Sequence, residues 1–202
     1  PTSNPALQCY YHLAQYHDGN QQAAFKGART LWLVGHSQHE ACDPLFKAWI
    51  DSGQLAPALA LQRAGMAINN NEFRLASYLN RFLDTRGKQV AQVWKKLYRN
   101  PELLKNTEYY TGLGNAFRPT ILTGIKRLVR KNQELALKLW PQYELKFQFT
   151  AQEKADIYSR FAVTLASTNN PQAEYWLTHA ILYPESNHLL QHGIRHSLRN
   201  QN

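Results

Sequence analysis

Cysteine is almost missing from this chain: 202 residues hold two, Cys9 and Cys42. With no Cys-x-x-C pair anywhere, a thioredoxin-like redox motif and a cysteine-rich zinc site are excluded. Long apolar runs are missing as well. Stretches such as "LWLV" fall far short of the roughly 20 apolar residues that a helix needs to cross a bilayer. No segment rich in Pro, Gly or Ser divides the chain, and runs of alternating apolar and polar residues, the mark of half-buried strands, are scarce. Acidic residues are outnumbered, 14 Asp and Glu against 23 Lys and Arg, for a formal charge of +9. Such a balance attracts polyanions (nucleic acid, anionic lipid, an acidic wall polymer) without choosing among them. Charged residues make up 18% and hydrophobic residues 44%, which excludes a disordered polyelectrolyte and fits a folded domain.

Helical periodicity fills the chain. "NPALQCYYHLAQYHDGN" carries apolar residues at helical spacing and stops at Asp18-Gly19-Asn20. "QQAAFKGARTLWLVG" follows and ends at Gly35. "ACDPLFKAWIDSG" offers Asp43 as N-cap and Pro44 as first helical residue. Further helices are predicted in "LAPALALQRAGMAIN", "NNEFRLASYLNRFLD", "KQVAQVWKKLYRN", "PELLKN", "RPTILTGIKRLVRKN", "QELALKLWPQYELKF", "TAQEKADIYSRFAVTLAST", "NPQAEYWLTHAILY" and "SNHLLQHGIRHSLRN". Short helices joined by tight turns pair as antiparallel hairpins, and hairpins that cannot bury an apolar face alone must stack. The expected fold is therefore all-α, an α-superhelix (solenoid) of irregular antiparallel helix hairpins, over residues 1–202. A closed helical bundle is the competing architecture. The softest boundary is "NTEYYTGLGNAF", around residues 106–117. The chain opens on Pro1 rather than Met, and the last helix carries an apolar stripe, Leu189, Leu190, Ile194 and Leu198, with nothing after it to cover it. Both features lead us to expect a piece of a longer protein.

Antiparallel pairing of the first two helices brings Cys9, early in the first, near Cys42, just after the second. A disulfide there would close a loop of about thirty residues, adding roughly 3–4 kcal/mol by the chain-entropy argument and implying an oxidising compartment. Two separate buried thiols fit the same spacing. So does a metal site, because the loop spells His36-x-x-His39-x-x-Cys42 and Cys9 would supply a fourth ligand.

Other constellations have plain structural readings. His188, His192 and His196 are spaced four apart, a zinc-compatible spacing, but no Glu directly follows His188 or His192, so the metalloprotease motif is absent and a solvated helix face is expected. "GLGNAF" lacks the third glycine of a dinucleotide fingerprint and follows no strand. No P-loop and no G-x-S-x-G elbow occurs. Trp32, Trp49, Trp94, Trp140 and Trp176 stand at helical core positions. Glycoside cleavage by a carboxylic acid needs a raised pKa in a cleft, and Glu72, Glu108, Glu134, Glu153 and Glu174 all sit in polar sequence surroundings. Lys126, Arg127, Arg130 and Lys131 gather on one helix beside the stripe of Ile121, Leu122, Ile125 and Leu128. They are the candidate contacts to a polyanion, against the commoner reading of a charged outer face. No cofactor site is read.

The first quarter of the chain, "QCYYHLAQY" followed by "ARTLWLVGHSQHEACDPLFKAW", resembles the helical region of the soluble lytic murein transglycosylases. Cys9, Tyr11, Leu31, Trp32, Leu33, Gly35, Ser37, Ala41, Cys42, Asp43, Leu45, Phe46 and Trp49 stand in that family's arrangement. Beyond them the likeness is mainly one of helical rhythm. The resemblance implies a periplasmic protein in which a ring of helix hairpins leads to a C-terminal lysozyme-like domain. There a single Glu would cleave the β-1,4 bond between N-acetylmuramic acid and N-acetylglucosamine, leaving a 1,6-anhydro end. The family's catalytic signature, a Glu-Ser pair followed by Gly-Leu-Met-Gln, is absent, and the one methionine, Met66, stands in "RAGMAIN". The resemblance thus implies a scaffold segment without the active site, with Cys9 and Cys42 as a disulfide. Its partners would be glycan strands of peptidoglycan, the lysozyme-like catalytic domain and other wall enzymes, with no nucleic acid and no membrane span. Two rivals stand beside it: a tetratricopeptide-like protein-binding adaptor, which should show a regular repeat period not found here, and a basic helical nucleic-acid binder, which should hold free thiols and lose affinity steeply with salt.

Overall fold

The computed structural model describes residues 4–181. Among them every regular element is helical: α1 (Pro5–His17), α2 (Gln21–Trp32), α3 (Asp43–Asp51), α4 (Pro57–Asn69), α5 (Phe73–Leu79), α6 (Thr85–Arg99), α7 (Thr107–Gly112), α8 (Arg118–Lys131), α9 (Gln133–Lys146), α10 (Ala151–Ser167) and α11 (Ala173–Ile181). The chain forms two compact units that divide at Lys95 and Lys96. The division falls inside α6 rather than in the 106–117 stretch, which holds α7, the left-handed Gly114 (φ 78°) and a short 3-10 turn.

In the first unit α1 and α2 form the expected hairpin. Asn4 caps α1 by accepting from the Ala6 amide at 2.9 Å, with Pro5 opening the helix. The turn runs through Gly19 at φ 84°, a left-handed conformation natural to glycine. Gly27 lets α2 lie hard against α1: a Cβ there would stand 2.3 Å from the His12 ring. α3 packs on both helices, and the Trp32 and Trp49 rings meet edge to face at 5.5 Å. Asp43 is not the N-cap of α3 but its first residue. A 3-10 turn, Glu40–Cys42, already holds helical dihedrals through Cys42, so no extended residue remains to serve as cap. α4 and α5 make the second hairpin. The predicted helix over 70–84 stops at Leu79 and continues as a 3-10 turn, Asn80–Phe82. Gly65 seats the Trp94 ring on α4, where a Cβ would come within 2.2 Å of it, and the indole nitrogen donates to Asn69 Oδ1 at 3.1 Å.

In the second unit "PELLK" is a 3-10 turn, Pro101–Lys105, rather than an α-helix. It sits on α8, where Leu104 approaches Gly124 at 2.8 Å from a would-be Cβ. α8 pairs with α9, and α10 with α11. α10 opens with a reciprocal capping box between Thr150 and Glu153. The Trp176 and Phe161 rings stack at 4.5 Å, and Trp140 packs against Phe149 at 5.1 Å. All five tryptophans are buried, at 7% exposure or less, so the core reading of each holds.

Candidate functional site

The amino-terminal motif turns out to be one physical object. Cys9 and Cys42 form a disulfide with both residues fully buried. It pins the start of α1 to the lead-in of α3, and it removes both sulfurs from any metal site. His39 is spent locally, its Nδ1 accepting from the Ala41 amide at 3.1 Å, and no cluster of metal-ligating side chains occurs among the described residues. The loop after α2 is tied down on its other side. Asn70 Nδ2 donates to the Gly35 carbonyl at 3.3 Å, and Gln38 Nε2 to the Leu31 carbonyl at 2.6 Å. Gly35 is required by contact: a Cβ there would meet the Met66 carbonyl oxygen at 2.8 Å.

A further tie is one that sequence reasoning passed over. Arg63, in the middle of α4, is 4% exposed. Its Nε donates to the Val34 carbonyl at 3.2 Å and Nη2 to the His36 carbonyl at 3.3 Å, while the guanidinium lies 4.5 Å over the Trp32 ring. Burial lowers its pKa from 12.5 to about 10, because desolvation penalises the cation; the nearby Tyr78 acts weakly the other way. None of the ion pairs among the described residues includes it. It lines a cavity of about 880 Å³, together with Trp32, Ser37, Phe46, Arg81 and Phe82. The signal was available in principle, since Arg63 is the one charge in a helix otherwise made of apolar and amide residues, "PALALQRAGMAIN".

The four basic residues of α8 do not form one free patch. Lys126 pairs with Asp156 at 3.1 Å, and Lys131 with Glu102 at 3.3 Å. Arg127 lies 3.8 Å over the Tyr98 ring, with its Nε buried and without a hydrogen bond. Arg130 is exposed. Among the glutamates, Glu72, Glu108, Glu134 and Glu174 are exposed, and Glu153 both closes the α10 capping box and receives Arg118 Nε at 2.9 Å. His188, His192 and His196, and the stripe of Leu189, Leu190, Ile194 and Leu198, lie outside the described residues.

No family model matches the chain. It is 26% identical over 193 residues to the soluble lytic murein transglycosylase of Escherichia coli K12, an alignment that covers 95% of this chain and 30% of that protein. The soluble lytic murein transglycosylase of Salmonella typhimurium is 26% identical over 192 residues, with the same coverage. The chain thus spans about 30% of the length of the curated relatives it matches. Among solved structures, an inactive variant of the lytic transglycosylase Slt of Pseudomonas aeruginosa superposes with a TM-score of 0.88 at 29% identity, over 96% of this chain and 31% of that one. The 70-kDa soluble lytic transglycosylase of Escherichia coli superposes at 0.70 and 24% identity, over 98% of this chain and 32% of that one, and so speaks to the fold alone. The resemblance carried by the first quarter of the sequence therefore extends along nearly the whole chain, and the all-α superhelical fold class is the one these neighbours share.

Proposed function

We propose that this chain is a non-catalytic segment of the helical scaffold of a soluble lytic transglycosylase. The observation that carries the proposal is coverage: 96% of the chain superposes on 31% of the Pseudomonas aeruginosa enzyme. The segment holds the two cysteines of the family-like motif as a disulfide, which supports an oxidising compartment, here the periplasm. No helix among the described residues is long and apolar enough to cross a membrane. All 202 residues act as one scaffold region, and the lysozyme-like domain that cleaves the N-acetylmuramic acid to N-acetylglucosamine bond lies elsewhere in the parent protein. The scaffold's work is positional. Stacked hairpins make a stiff surface from local contacts, which holds the catalytic domain and offers cations to glycan strands and their acidic peptides. Of the four α8 residues considered as glycan contacts, Arg130 is the exposed one outside the ion pairs of the described residues, whereas Lys126, Arg127 and Lys131 are engaged within the fold.

The full-length natural protein tests this. It should release 1,6-anhydro muropeptides from purified peptidoglycan, and the 202-residue chain alone should release none. A full-length protein without that activity, or one whose Cys9 and Cys42 titrate as free thiols when unfolded without reductant, would overturn the proposal. The latter outcome would favour a cytosolic adaptor or a nucleic-acid binder.

A further inference from the structure

We propose that the cavity beneath α4 is a carboxylate-binding subsite in which Arg63 receives the free carboxylate of a short peptide. A buried guanidinium is costly unless an anion or a full set of hydrogen bonds compensates it. Arg63 has five N–H groups to satisfy, and its hydrogen bonds among the described residues go to two carbonyls, those of Val34 and His36. Those bonds hold the guanidinium in place and leave both its charge and further donors toward the cavity it lines. Trp32 stacks on one face of it, so the planar fork is pre-oriented, the geometry in which Arg recognises a carboxylate through two parallel hydrogen bonds.

The surroundings select the anion. The cavity holds Lys47, Arg63 and Arg81 against Asp43 and Asp51, a balance of one positive charge. Lys47 is already paired with Asp51, and Arg81 lies 4.2 Å over the Tyr78 ring. A monoanion matches this balance, whereas a phosphate dianion would exceed it by one charge. Phe46, Ile50 and Phe82 add apolar wall beside the guanidinium, and Ser37 and Gln38 add polar groups. A volume of about 880 Å³ lies in the range of small-ligand sites. Together these describe a ligand with a carboxylate next to small apolar side chains. That the natural source is a wall peptide rests on the scaffold reading above; the carboxylate subsite itself does not.

The test is a titration of the isotope-labelled 202-residue chain, followed by NMR at the Arg63 Nε–H and Trp32 indole N–H signals. The probes are N-acetyl-alanyl-alanine, the same dipeptide as its C-terminal amide, and N-acetylmuramic acid. The free-acid dipeptide should move both signals, and the amide should bind at least about tenfold more weakly, the expected effect of removing one charge-assisted hydrogen bond. Movement of the same signals by N-acetylmuramic acid would add the lactyl carboxylate as a source and equally supports the subsite. Ser37 is exposed, so Ser37→Glu adds an anion to the cavity without burying it. It should weaken binding of the free acid at least about tenfold while leaving the thermal unfolding midpoint in place. Arg63→Met should abolish the difference between acid and amide, and Ser37→Glu decides the matter if Arg63→Met fails to fold. Equal shifts with acid and amide, or an Arg63 signal unmoved by all three probes at their solubility limits, would overturn the proposal. Either failure leaves the scaffold reading intact, since muropeptide release by the full-length protein decides that separately.

Discussion

At the residue scale, the informative groups are polar atoms placed where water does not reach. Tyr143 is fully buried and donates its hydroxyl to the Leu104 carbonyl at 2.6 Å, joining α9 to the 3-10 turn before α7. Tyr143→Phe removes that donor and should lower unfolding free energy by about 1–2 kcal/mol in urea titrations. Burial first, and the neighbouring Tyr110 second, hold the Tyr143 phenol well above its usual range. The sign of the pH effect follows. In the unfolded chain Tyr143 ionises near pH 10, while in the folded chain it stays protonated. Its contribution is therefore fully present below about pH 10 and is lost as pH climbs beyond it. The wild-type chain should lose stability above that point more steeply than Tyr143→Phe. Gly65 makes the complementary case for packing. Alanine favours a helix over glycine by up to about 1 kcal/mol, but here its methyl would have to enter the Trp94 ring. Trp94 is buried and hydrogen-bonded to Asn69, so it cannot yield cheaply. Gly65→Ala should be net destabilising by about 1–3 kcal/mol, as read by the shift in urea midpoint.

At the element scale, the question is which helices carry charge outward. Arg130→Ala should weaken sedimentation of the chain with purified peptidoglycan more than Lys126→Ala or Lys131→Ala, because those two lysines already face Asp156 and Glu102. The opposite ranking would show that the ion pairs open to meet the wall polymer. Most helices were legible, because apolar spacing and stops such as Asp18-Gly19-Asn20 report local physics, but α7 was not: its stretch reads as a soft boundary in the sequence and folds as a short helix capped by Asn106. Element ends were less so. The termination of α5 at Leu79, the 3-10 character of Pro101–Lys105 and the early start of α3 depend on neighbouring packing that spacing alone does not encode. The basic cluster on α8 was visible as composition, but its neutralising partners lie about thirty residues away in sequence and could not be paired in advance. Arg63 was missed because a single charge in an apolar helix looks like an exposed one until the loop it binds is in place.

At the scale of the whole molecule, the disulfide and the net charge set what the chain responds to. Reduction should destabilise the first unit by roughly 3–4 kcal/mol, by the loop-entropy argument for a separation of 33 residues. Hydrogen exchange should then rise first among residues 4–95, because both cysteines belong to the first unit. A charge of +9 further predicts that association with any anionic polymer weakens as salt is added, and binding that ignores salt would show that charge is not what holds the polymer. The burial of both sulfurs bears on the order of assembly. Neither Cys9 nor Cys42 offers surface to an oxidant once the fold has closed over them. The bond is therefore expected to form while the chain is still open, wherever it first meets an oxidant, rather than after the fold has closed. Protein that matures first in a reducing cytosol should keep its two thiols and resist later oxidation in air until it is unfolded.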